Sequence, residues 1–328
     1  MEYKPNITLD RVRGMFMGVF LGDALGAPHE FTGSNLKYTG KLEHITVMNS
    51  RFQGQRQLDI GRCSDDTEMT ITLLRTLIQY GGYNRDHVII SYLRWANSGG
   101  WMMGKNTRAL LKGVTTVKGY QGRLSKILAL PISERSQSNG AMMRCSPLAL
   151  IYDNRPVVED VNITNPTPVC VDCNLVYISA LRLALQGLDG NTIFNTIKTV
   201  AQTDEVKFVL LQVERKENRN ISEKKGWCLH ALWCAMTVMI SFNDYSQAMR
   251  WIISDHPHSD TDTNACIAGA LVGAILGFDR MNIEPSTSEN ITILLNTDTT
   301  IGLTPRPIEY GPTDFFILTE AAMNLTMK

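Results

Sequence analysis

The segment Asn264–Leu276 restricts what this chain can fold into more than any other part of its sequence. Its apolar residues recur at helical spacing, and Gly277 follows them as a typical helix stop. Small side chains at this density let the backbones of neighbouring helices approach closely, so we expect a helix near the centre of the fold. The small residues are Ala265, Ala268, Gly269, Ala270, Gly273 and Ala274.

Further segments with a 3.6-residue apolar period predict a chain built mainly of helices. Lys41–Met48 and Ile291–Leu295 alternate weakly, as strands do, and the polar stretch Thr203–Lys225 is predicted to be a loop. Because the sequence shows neither a strand–helix alternation nor an internal repeat, we predict an all-α fold, a single compact multi-helix domain over residues 1–328. The other predicted helices are Val12–Leu25, one capped by Asp66 or Thr67 that ends at Gly81, His87–Asn97, Asn174–Gln186, Trp227–Ile240 and Tyr245–Ile253.

The composition fits a globular chain that carries no overall charge. The 328 residues include 32 basic and 32 acidic ones, so the net charge gives no evidence for a nucleic-acid partner or an anionic membrane. Met1–Leu9 does not resemble a signal peptide, and Gly14–Leu21 is too short for a membrane span of roughly 20 residues. The seven cysteines are odd in number and scattered, so we expect a cytoplasmic protein and interpret Cys170 and Cys173 as core residues.

Two acidic clusters lie about 200 residues apart, and each stands immediately before a predicted helix. The first is Ser64-Asp65-Asp66-Thr67, and the second is Asp260-Thr261-Asp262-Thr263. One carboxylate in each cluster could act as a helix N-cap. Four carboxylates in two runs would repel one another unless a positive charge lay between them. Since both clusters supply only oxygen ligands, we predict a shared site for a hard divalent cation such as Mg²⁺ or Mn²⁺.

Two other stretches carry candidate functional groups. Glu30 follows the helix Val12–Leu25, and Gly26 and Pro28 are predicted to end that helix and fix the position of Glu30 as a general acid or base. A solvated loop glutamate is the alternative. The polar, glycine-containing run Ser136–Arg144 precedes an apolar segment, and its backbone N–H groups could cradle phosphate oxygens, although ordinary turns look similar.

Five motifs occur in the order found in the ADP-ribosylglycohydrolases, and the chain resembles that family from about Val12 to Phe278. The family includes the dinitrogenase reductase-activating glycohydrolase, the ADP-ribosylarginine and ADP-ribosylserine hydrolases and the J1 crystallins. The motifs are Gly22-Asp23-Ala24-Leu25-Gly26, Ser64-Asp65-Asp66-Thr67-Glu68-Met69, Asn139-Gly140-Ala141-Met142-Met143-Arg144, Gly226-Trp227-Cys228-Leu229-His230-Ala231-Leu232 and Asp260-Thr261-Asp262-Thr263-Asn264.

The resemblance implies an all-α fold with a central cleft that holds two Mg²⁺ or Mn²⁺ ions. It also implies a hydrolase that cleaves the glycosidic bond between ADP-ribose and a modified protein. The catalytic residues implied are Glu30, Asp65 and Asp262. The implied metal ligands are Ser64, Asp65, Asp66, Asp260, Asp262 and Thr263. The implied ADP-ribose-binding residues are Ser136, Ser138, Asn139, Gly140, Ala141, Met142 and Asn165.

Two positions depart from the family pattern. Relatives that act on ADP-ribosylarginine usually carry Asp where this chain has Met102, and many relatives carry His where it has Asn165. The motifs Gly226–Leu232 and Asp66–Met69 nevertheless look closest to the arginine-type members. We therefore expect ADP-ribosylarginine in a protein as the substrate, with ADP-ribosylserine or a modified nucleic acid as alternatives.

Two readings from other classes compete with this one. An Mg²⁺-dependent isoprenoid-diphosphate enzyme would carry DDxxD, whereas Asp65–Met69 lacks the final Asp. A non-catalytic ADP-ribose-binding or crystallin-like relative would explain Met102, but this chain retains every metal-ligand position. The carboxy-terminal Thr297–Lys328 segment, with Arg306–Tyr310, is interpreted as a lid or a packing element.

Overall fold

Two helices, α1 (Leu9–Glu30) and α12 (Thr261–Leu276), pack with their backbones in contact at the centre of the computed structural model of this chain. A Cβ atom on Gly18 would lie 2.0 Å from the carbonyl oxygen of Gly269, and one on Gly14 would lie 2.2 Å from that of Gly273. No side chain fits at such distances, so the crossing requires glycine. The predicted central helix of small residues is confirmed.

The structure describes residues 7–30, 36–43, 45–49, 54–100 and 102–326. Fifteen α-helices and one two-stranded antiparallel sheet lie in these ranges and form a single multi-helix domain, so the all-α prediction is confirmed. The remaining helices are α2 (Asp65–Tyr80), α3 (Arg85–Asn97), α4 (Lys105–Leu111), α5 (Val117–Leu128), α6 (Arg155–Thr164), α7 (Pro168–Leu185), α8 (Gly190–Ile197), α9 (Asp204–Glu214), α10 (Cys228–Ser241), α11 (Tyr245–Ile253), α13 (Phe278–Met281), α14 (Pro285–Asn296) and α15 (Phe315–Ala322).

The sheet is a hairpin of β1 (Ile45–Asn49) and β2 (Gly54–Leu58), with Ile45 opposite Leu58. The strand predicted over Lys41–Met48 overlaps β1, although His44 lies outside the described residues. The strand predicted over Ile291–Leu295 is wrong, because this stretch belongs to α14 and buries Ile291 and Leu294 at helical spacing.

The predicted loop Thr203–Lys225 is wrong in its first half, where α9 forms. Its polar composition conceals an apolar stripe that α9 turns toward α7 and α10. The stripe has the spacing of one helix face, which outweighs the surrounding charges. It consists of Val206, Val209, Leu210 and Val213.

The first helix also runs further than predicted. Gly26 and Pro28 do not end it, since α1 continues to Glu30 and contains Pro28 in its last turn. Gly26 serves packing instead, because a Cβ atom there would lie 2.5 Å from the Cα of Asp262. Glu30 is therefore held on a helix end rather than on a loop.

Helix α7 is long and apolar enough to cross a membrane by length and composition alone, but 72% of it is buried inside the protein. It packs against α6, α8 and α12, as a core helix does. The seven cysteines are all free and buried. Cys170 and Cys173 lie on α7 and direct their sulfurs toward Cys228 at 3.7 and 3.8 Å, so they are core residues as interpreted.

Residues 297–314, which we call the C-terminal segment, pack across α2. Arg75 on α2 donates two hydrogen bonds to the carboxylate of Asp314, at 2.9 and 2.6 Å, and a third to the carbonyl of Glu309. Beyond this segment, the ring of Phe315 on α15 packs edge-on against Phe20 of α1, with 6.1 Å between ring centroids. Of the two interpretations, the structure supports a packing element.

Replacing Gly18 with Ala should destabilise the protein. The added Cβ meets the Gly269 backbone, and overpacking of this kind typically costs about 1–3 kcal/mol in free energy of unfolding. Gly122→Ala is the matched control, because Gly122 lies inside α5 with no heavy atom within 4 Å of the added Cβ, and it should stabilise by about 0.5–1 kcal/mol. Urea titration measures both; a Gly18→Ala protein as stable as wild type would contradict the requirement for glycine.

Candidate functional site

The two acidic clusters meet where α2 and α12 begin. The hydroxyl of Thr263 lies 3.4 Å from Oδ2 of Asp66, so the clusters are in contact although they are far apart in sequence. Carboxylate oxygens of Asp23, Asp66 and Asp262 lie within 4.8 Å of one another, and those of Glu30, Asp260 and Asp262 form a second such group. Asp262 belongs to both groups and therefore links them.

Helix capping accounts for only one member of these clusters. The Ser64 hydroxyl accepts a hydrogen bond from the Asp66 amide and so caps α2, while it donates to Oδ2 of Asp66 at 2.8 Å. Asp260 stands at the N-cap position of α12 but makes no capping hydrogen bond with its side chain. Its Oδ2 instead accepts a hydrogen bond from the side-chain amide of Asn139 at 2.7 Å. The acidic side chains are thus directed into the site rather than used as caps.

Asp23 is the residue that sequence reasoning missed. It lies fully buried on α1, and its Oδ2 accepts hydrogen bonds from the Ser64 and Thr67 amides at 2.9 and 3.1 Å. It therefore holds the first turn of α2 against α1. The signal was present, since Asp23 is a charged residue inside an otherwise apolar helix, and such a residue is rarely buried without a partner.

The electrostatics of the site are unfavourable for the protein alone. Burial raises the pKa of Asp23 to about 6. Burial also raises the pKa of Asp66 well above its usual range, and the nearby carboxylate of Asp23 adds to that shift. The pKa of Asp65 and that of Asp262 rise well above the usual range for the same two reasons, burial and neighbouring carboxylates. A positive charge bound among these groups would lower all four pKa values, because it favours the ionised carboxylates.

The donor atoms fit a hard divalent cation. Every candidate ligand is an oxygen, which Mg²⁺ and Mn²⁺ prefer. Among the described side chains, Oδ1 of Asp23 and Oδ1 of Asp66 are buried with no hydrogen-bond partner. A buried acceptor of this kind is costly unless something satisfies it. The clustered carboxylates and these two orphaned oxygens together suit at least one bound cation.

A cavity of about 590 Å³ opens beside the acidic groups. Glu30, Asp65, Asp260, Asp262 and Thr263 line one part of it, while Asp66 and Ser64 lie deeper and are buried. The other walls bring together residues from distant parts of the chain. They include Met102, Gly104, Lys105, Ile127, Leu130, Arg135, Ser136, Ser138, Asn139, Gly140 and Lys225.

The loop 136–140 forms a wall of the cavity that adjoins the acidic groups at Asn139 and Asp260, and hydrogen bonds hold it in place. The backbone N–H of Asn139 donates to the Gly226 carbonyl at 2.8 Å, and Ser138 forms an isolated antiparallel bridge with Trp227. Behind the loop, the side-chain amide of Asn165 donates to the Ser138 hydroxyl at 2.9 Å. The Asn165 side chain thus supports the loop from beneath and is itself buried.

Only part of the predicted phosphate-binding run lines the cavity. Ser136, Ser138, Asn139 and Gly140 do, whereas Ala141 and Met142 are buried behind it. Arg144 is fully buried in an ion pair with Asp160 and donates to the Gly140 carbonyl at 2.6 Å. This pair holds the end of the loop from the core side.

The cavity is also lined by basic groups that the sequence did not single out. Lys105, Arg135 and Lys225 bring positive charge to its walls from three separate segments. Single basic residues in polar stretches form no recognisable sequence motif, so only the folded structure shows that these three lie around one cavity. Met102 lines the cavity in a left-handed backbone conformation with φ of 62°.

Comparison with known proteins places this geometry in context. The sequence model of the ADP-ribosylglycohydrolase family matches residues 4–291 of the chain. A solved structure described as an ADP-ribosylglycohydrolase-related protein complex superposes with a TM-score of 0.69, covering 97% of this chain and 99% of that one at 21% identity. That likeness supports the fold.

Three relatives are similar over much of their sequence. A protein of Acanthamoeba polyphaga mimivirus is 26% identical, over 81% of this chain and 86% of its own. An ADP-ribosylarginine hydrolase of Pseudomonas putida is 24% identical, over 85% and 74%. The ADP-ribosyl-[dinitrogen reductase] glycohydrolase of Rhodospirillum rubrum is 29% identical, over 49% and 53%.

The stability of the metal-free protein should fall as pH rises. The folded-state pKa of Asp23 is raised from 3.8 to about 6, so folding favours the protonated form, and this stabilisation is lost as pH climbs through about 6. Urea titrations in a chelator at pH 5 and pH 7.5 should differ by about 1 kcal/mol more for wild type than for Asp23→Asn, whose amide cannot ionise. Equal pH dependence in the two proteins would show that Asp23 ionises normally.

Proposed function

Because the chain belongs to the ADP-ribosylglycohydrolase family and two of its relatives are named as hydrolases, we propose that it is a divalent-cation-dependent enzyme that releases ADP-ribose from a modified protein. One observation carries the proposal. A single cavity joins the four carboxylates that line its acidic part to the loop 136–140, which offers hydroxyl and amide groups. These groups suit the two parts of ADP-ribose. Cations held by the carboxylates would bind the ribose, and the hydrogen-bond donors of the loop would bind the phosphates.

The acidic clusters would hold two Mg²⁺ or Mn²⁺ ions. The ligands we propose come from α2 and α12 and from the residue before each helix, namely Ser64, Asp65, Asp66, Asp260, Asp262 and Thr263. When bound, such ions supply Lewis-acid chemistry, by which oxygen atoms of ribose and water are polarised. Asp23 would orient this set, since it ties the amides of Ser64 and Thr67 to α1.

Cleavage of the bond between ribose and its acceptor builds positive charge on the sugar. The carboxylates of Glu30, Asp65 and Asp262 surround the space in which that charge would form, and they would stabilise it. Glu30 lies at the end of α1, beside the cavity rather than deep within the cluster, and is half-buried. We assign it the acid–base role, in which its carboxylate takes a proton from the attacking water and returns one to the acceptor atom whose bond to ribose breaks.

The loop 136–140 would bind the diphosphate of ADP-ribose. The Ser138 hydroxyl accepts a hydrogen bond from Asn165, so its own proton is free to be donated to a phosphate oxygen. The Ser136 and Asn139 side chains line the same wall, and Lys225 and Arg135 bring positive charge to it. The charge of the diphosphate is thereby matched by basic residues in the wall of the same cavity.

Arginine is the acceptor that we propose first. A guanidinium leaving the ribose would enter a strongly anionic part of the cavity, and one relative is named as an ADP-ribosylarginine hydrolase. Met102 favours a second candidate, a neutral acceptor such as serine, because its side chain adds no charge to the wall. The acceptor is therefore a matter for direct assay.

The test is to incubate the purified protein and Mg²⁺ with ADP-ribosylated arginine, serine and nucleic-acid substrates and to measure free ADP-ribose. We expect release from the arginine substrate and none in the presence of a chelator. Binding of ADP-ribose without release from any substrate would overturn the enzymatic proposal and identify a binding protein.

Asp262→Asn should lower kcat/KM by at least about 100-fold, because it removes the carboxylate that both acidic groups share. The same variant should lose most Mn²⁺ binding, measured by electron paramagnetic resonance. Asp244→Asn is the control, since Asp244 also precedes a helix but caps α11 far from the cavity. Unchanged Mn²⁺ affinity in Asp262→Asn would show that the cation binds elsewhere.

Asn165→Ala should weaken ADP-ribose binding about fivefold, because each net hydrogen bond to the loop contributes about 1 kcal/mol. Asn290→Ala is a matched control, in which a buried amide that anchors Gly40 and Leu42 is removed at a distance from the cavity. Both variants should lose stability, but only the first should lose affinity in calorimetry. Equal affinities would mean that the loop does not contact the ligand.

A further inference from the structure

The C-terminal segment reaches the acidic site through one side chain. Arg306 lies beyond residue 291, where the family match ends, and only 3% of it is exposed. Its guanidinium grips the carboxylate of Glu68 with two parallel hydrogen bonds, from Nε to Oε1 at 2.7 Å and from Nη2 to Oε2 at 2.8 Å. Glu68 belongs to the same first turn of α2 as Asp65 and Asp66.

The same guanidinium binds a second element. Its Nη1 donates to the Ser98 carbonyl at 2.7 Å, and its Nη2 donates to the Ser98 hydroxyl at 3.0 Å. The indole of Trp95 on α3 completes the shell of Glu68, with a hydrogen bond of 2.7 Å. One arginine thus joins the start of α2 to the end of α3, and a planar fork is the side chain best suited to such a junction.

Ser98 begins the cavity-wall segment, residues 98–104, which leads from α3 to α4. Its described residues contain no helix or strand, and both Gly99 and Met102 have left-handed φ angles, of 93° and 62°. Without a backbone ladder, side-chain contacts decide where this segment lies, namely the hydrogen bonds that hold Ser98 and the burial of Met103 in the apolar core. Met102 and Gly104 both line the cavity.

The segment meets the first turn of α2 at both ends. Ser98 is held to that turn through Arg306 and Glu68, and Gly104 lines the cavity together with Asp65. Arg62, just before α2, adds a hydrogen bond of 2.9 Å to the Thr299 carbonyl, which also accepts from the Arg306 amide at 2.7 Å. The position of Arg306 is therefore itself fixed, because Thr299 binds both its backbone and Arg62.

We propose that Arg306 is a positioning residue that holds the cavity-wall segment against the acidic turn of α2 and so sets the wall on the acceptor side of the reaction. The effect of Arg306 on turnover rests on the proposed function, whereas its effect on the position of residues 98–104 does not. Because the loop 136–140 is anchored separately, by Asn165 and Gly226, ADP-ribose affinity should not depend on Arg306. The rate at which the enzyme turns over ADP-ribose linked to its acceptor should depend on Arg306.

The decisive comparison is between Arg306→Gln and Arg75→Gln in the full-length protein. Arg75 also ties the C-terminal segment to α2 through a two-pronged carboxylate pair, with Asp314, but it lies at the other end of the helix. Hydrogen exchange followed by mass spectrometry reports the amides of residues 98–104. Exchange there should speed up about tenfold or more in Arg306→Gln and stay within about twofold of wild type in Arg75→Gln.

Kinetics on ADP-ribosylarginine with Mg²⁺ give the second readout. Arg306→Gln should lower kcat about tenfold or more while the ADP-ribose dissociation constant changes less than about threefold. Arg306→Lys keeps the charge without the fork, so it should fall between wild type and Arg306→Gln in both measurements. This milder variant also covers the case in which Arg306→Gln does not fold.

Two results would overturn the proposal. Wild-type exchange rates over residues 98–104 in Arg306→Gln, or in Arg306→Lys if only that variant folds, would show that the segment does not depend on the fork. Equal acceleration in Arg75→Gln would show that loss of any tie to the C-terminal segment has the same effect. If wild type itself releases no ADP-ribose, the proposed function fails, but the exchange comparison still decides the role of Arg306.

Discussion

The backbones of α1 and α12 touch at successive turns, and the acidic site depends on that contact. At Gly22 a Cβ atom would lie 2.3 Å from the Ala265 carbonyl oxygen, and at Gly26 it would lie 2.5 Å from the Thr261 carbonyl oxygen. Since no side chain intervenes, carboxylates on the two helices come within reach of one ion. Asp23 and Asp262 meet for this reason. Larger residues in place of the glycines at this crossing would move Asp23 and Asp262 apart, although both carboxylates would still be present.

That proximity has an electrostatic cost that the rest of the fold must offset. Buried carboxylates raise one another's pKa and oppose folding in the ionised state. The surrounding helices bury a large apolar core, which provides the opposing term. A site that is unfavourable when empty binds cations more strongly, because the repulsion relieved on binding adds to the binding free energy. Stability and ligand affinity are therefore opposed at the same residues.

Local patterns in the sequence were sufficient for much of this fold. Gly81 ends α2 as predicted, and the small residues of α12 correctly predicted a close crossing. The cap predicted at Asp66 or Thr67 is wrong, because Ser64 caps α2 and the helix already begins at Asp65. The errors arose where tertiary contact overrode a local rule. Gly26 looked like a helix stop but admits the backbone of α12, and α9 was concealed because it lies in a stretch rich in charged and polar residues. Asp23 could have been noticed as a charge on an apolar face, whereas the partner of Arg306 is 238 residues away and no local pattern encodes it.

The two sides of the cavity differ in how freely they can change. The acidic side stands on helices whose backbones are in contact, so a shift at one ligand would move the others. The described residues of the cavity-wall segment 98–104 form no helix or strand, and they are held by the contacts of Ser98 with Arg306 and by the burial of Met103. A replacement such as Met102 can therefore alter what the cavity accepts without disturbing the carboxylates. Acceptor choice should accordingly vary among relatives through this wall, while the ribose-facing side stays the same.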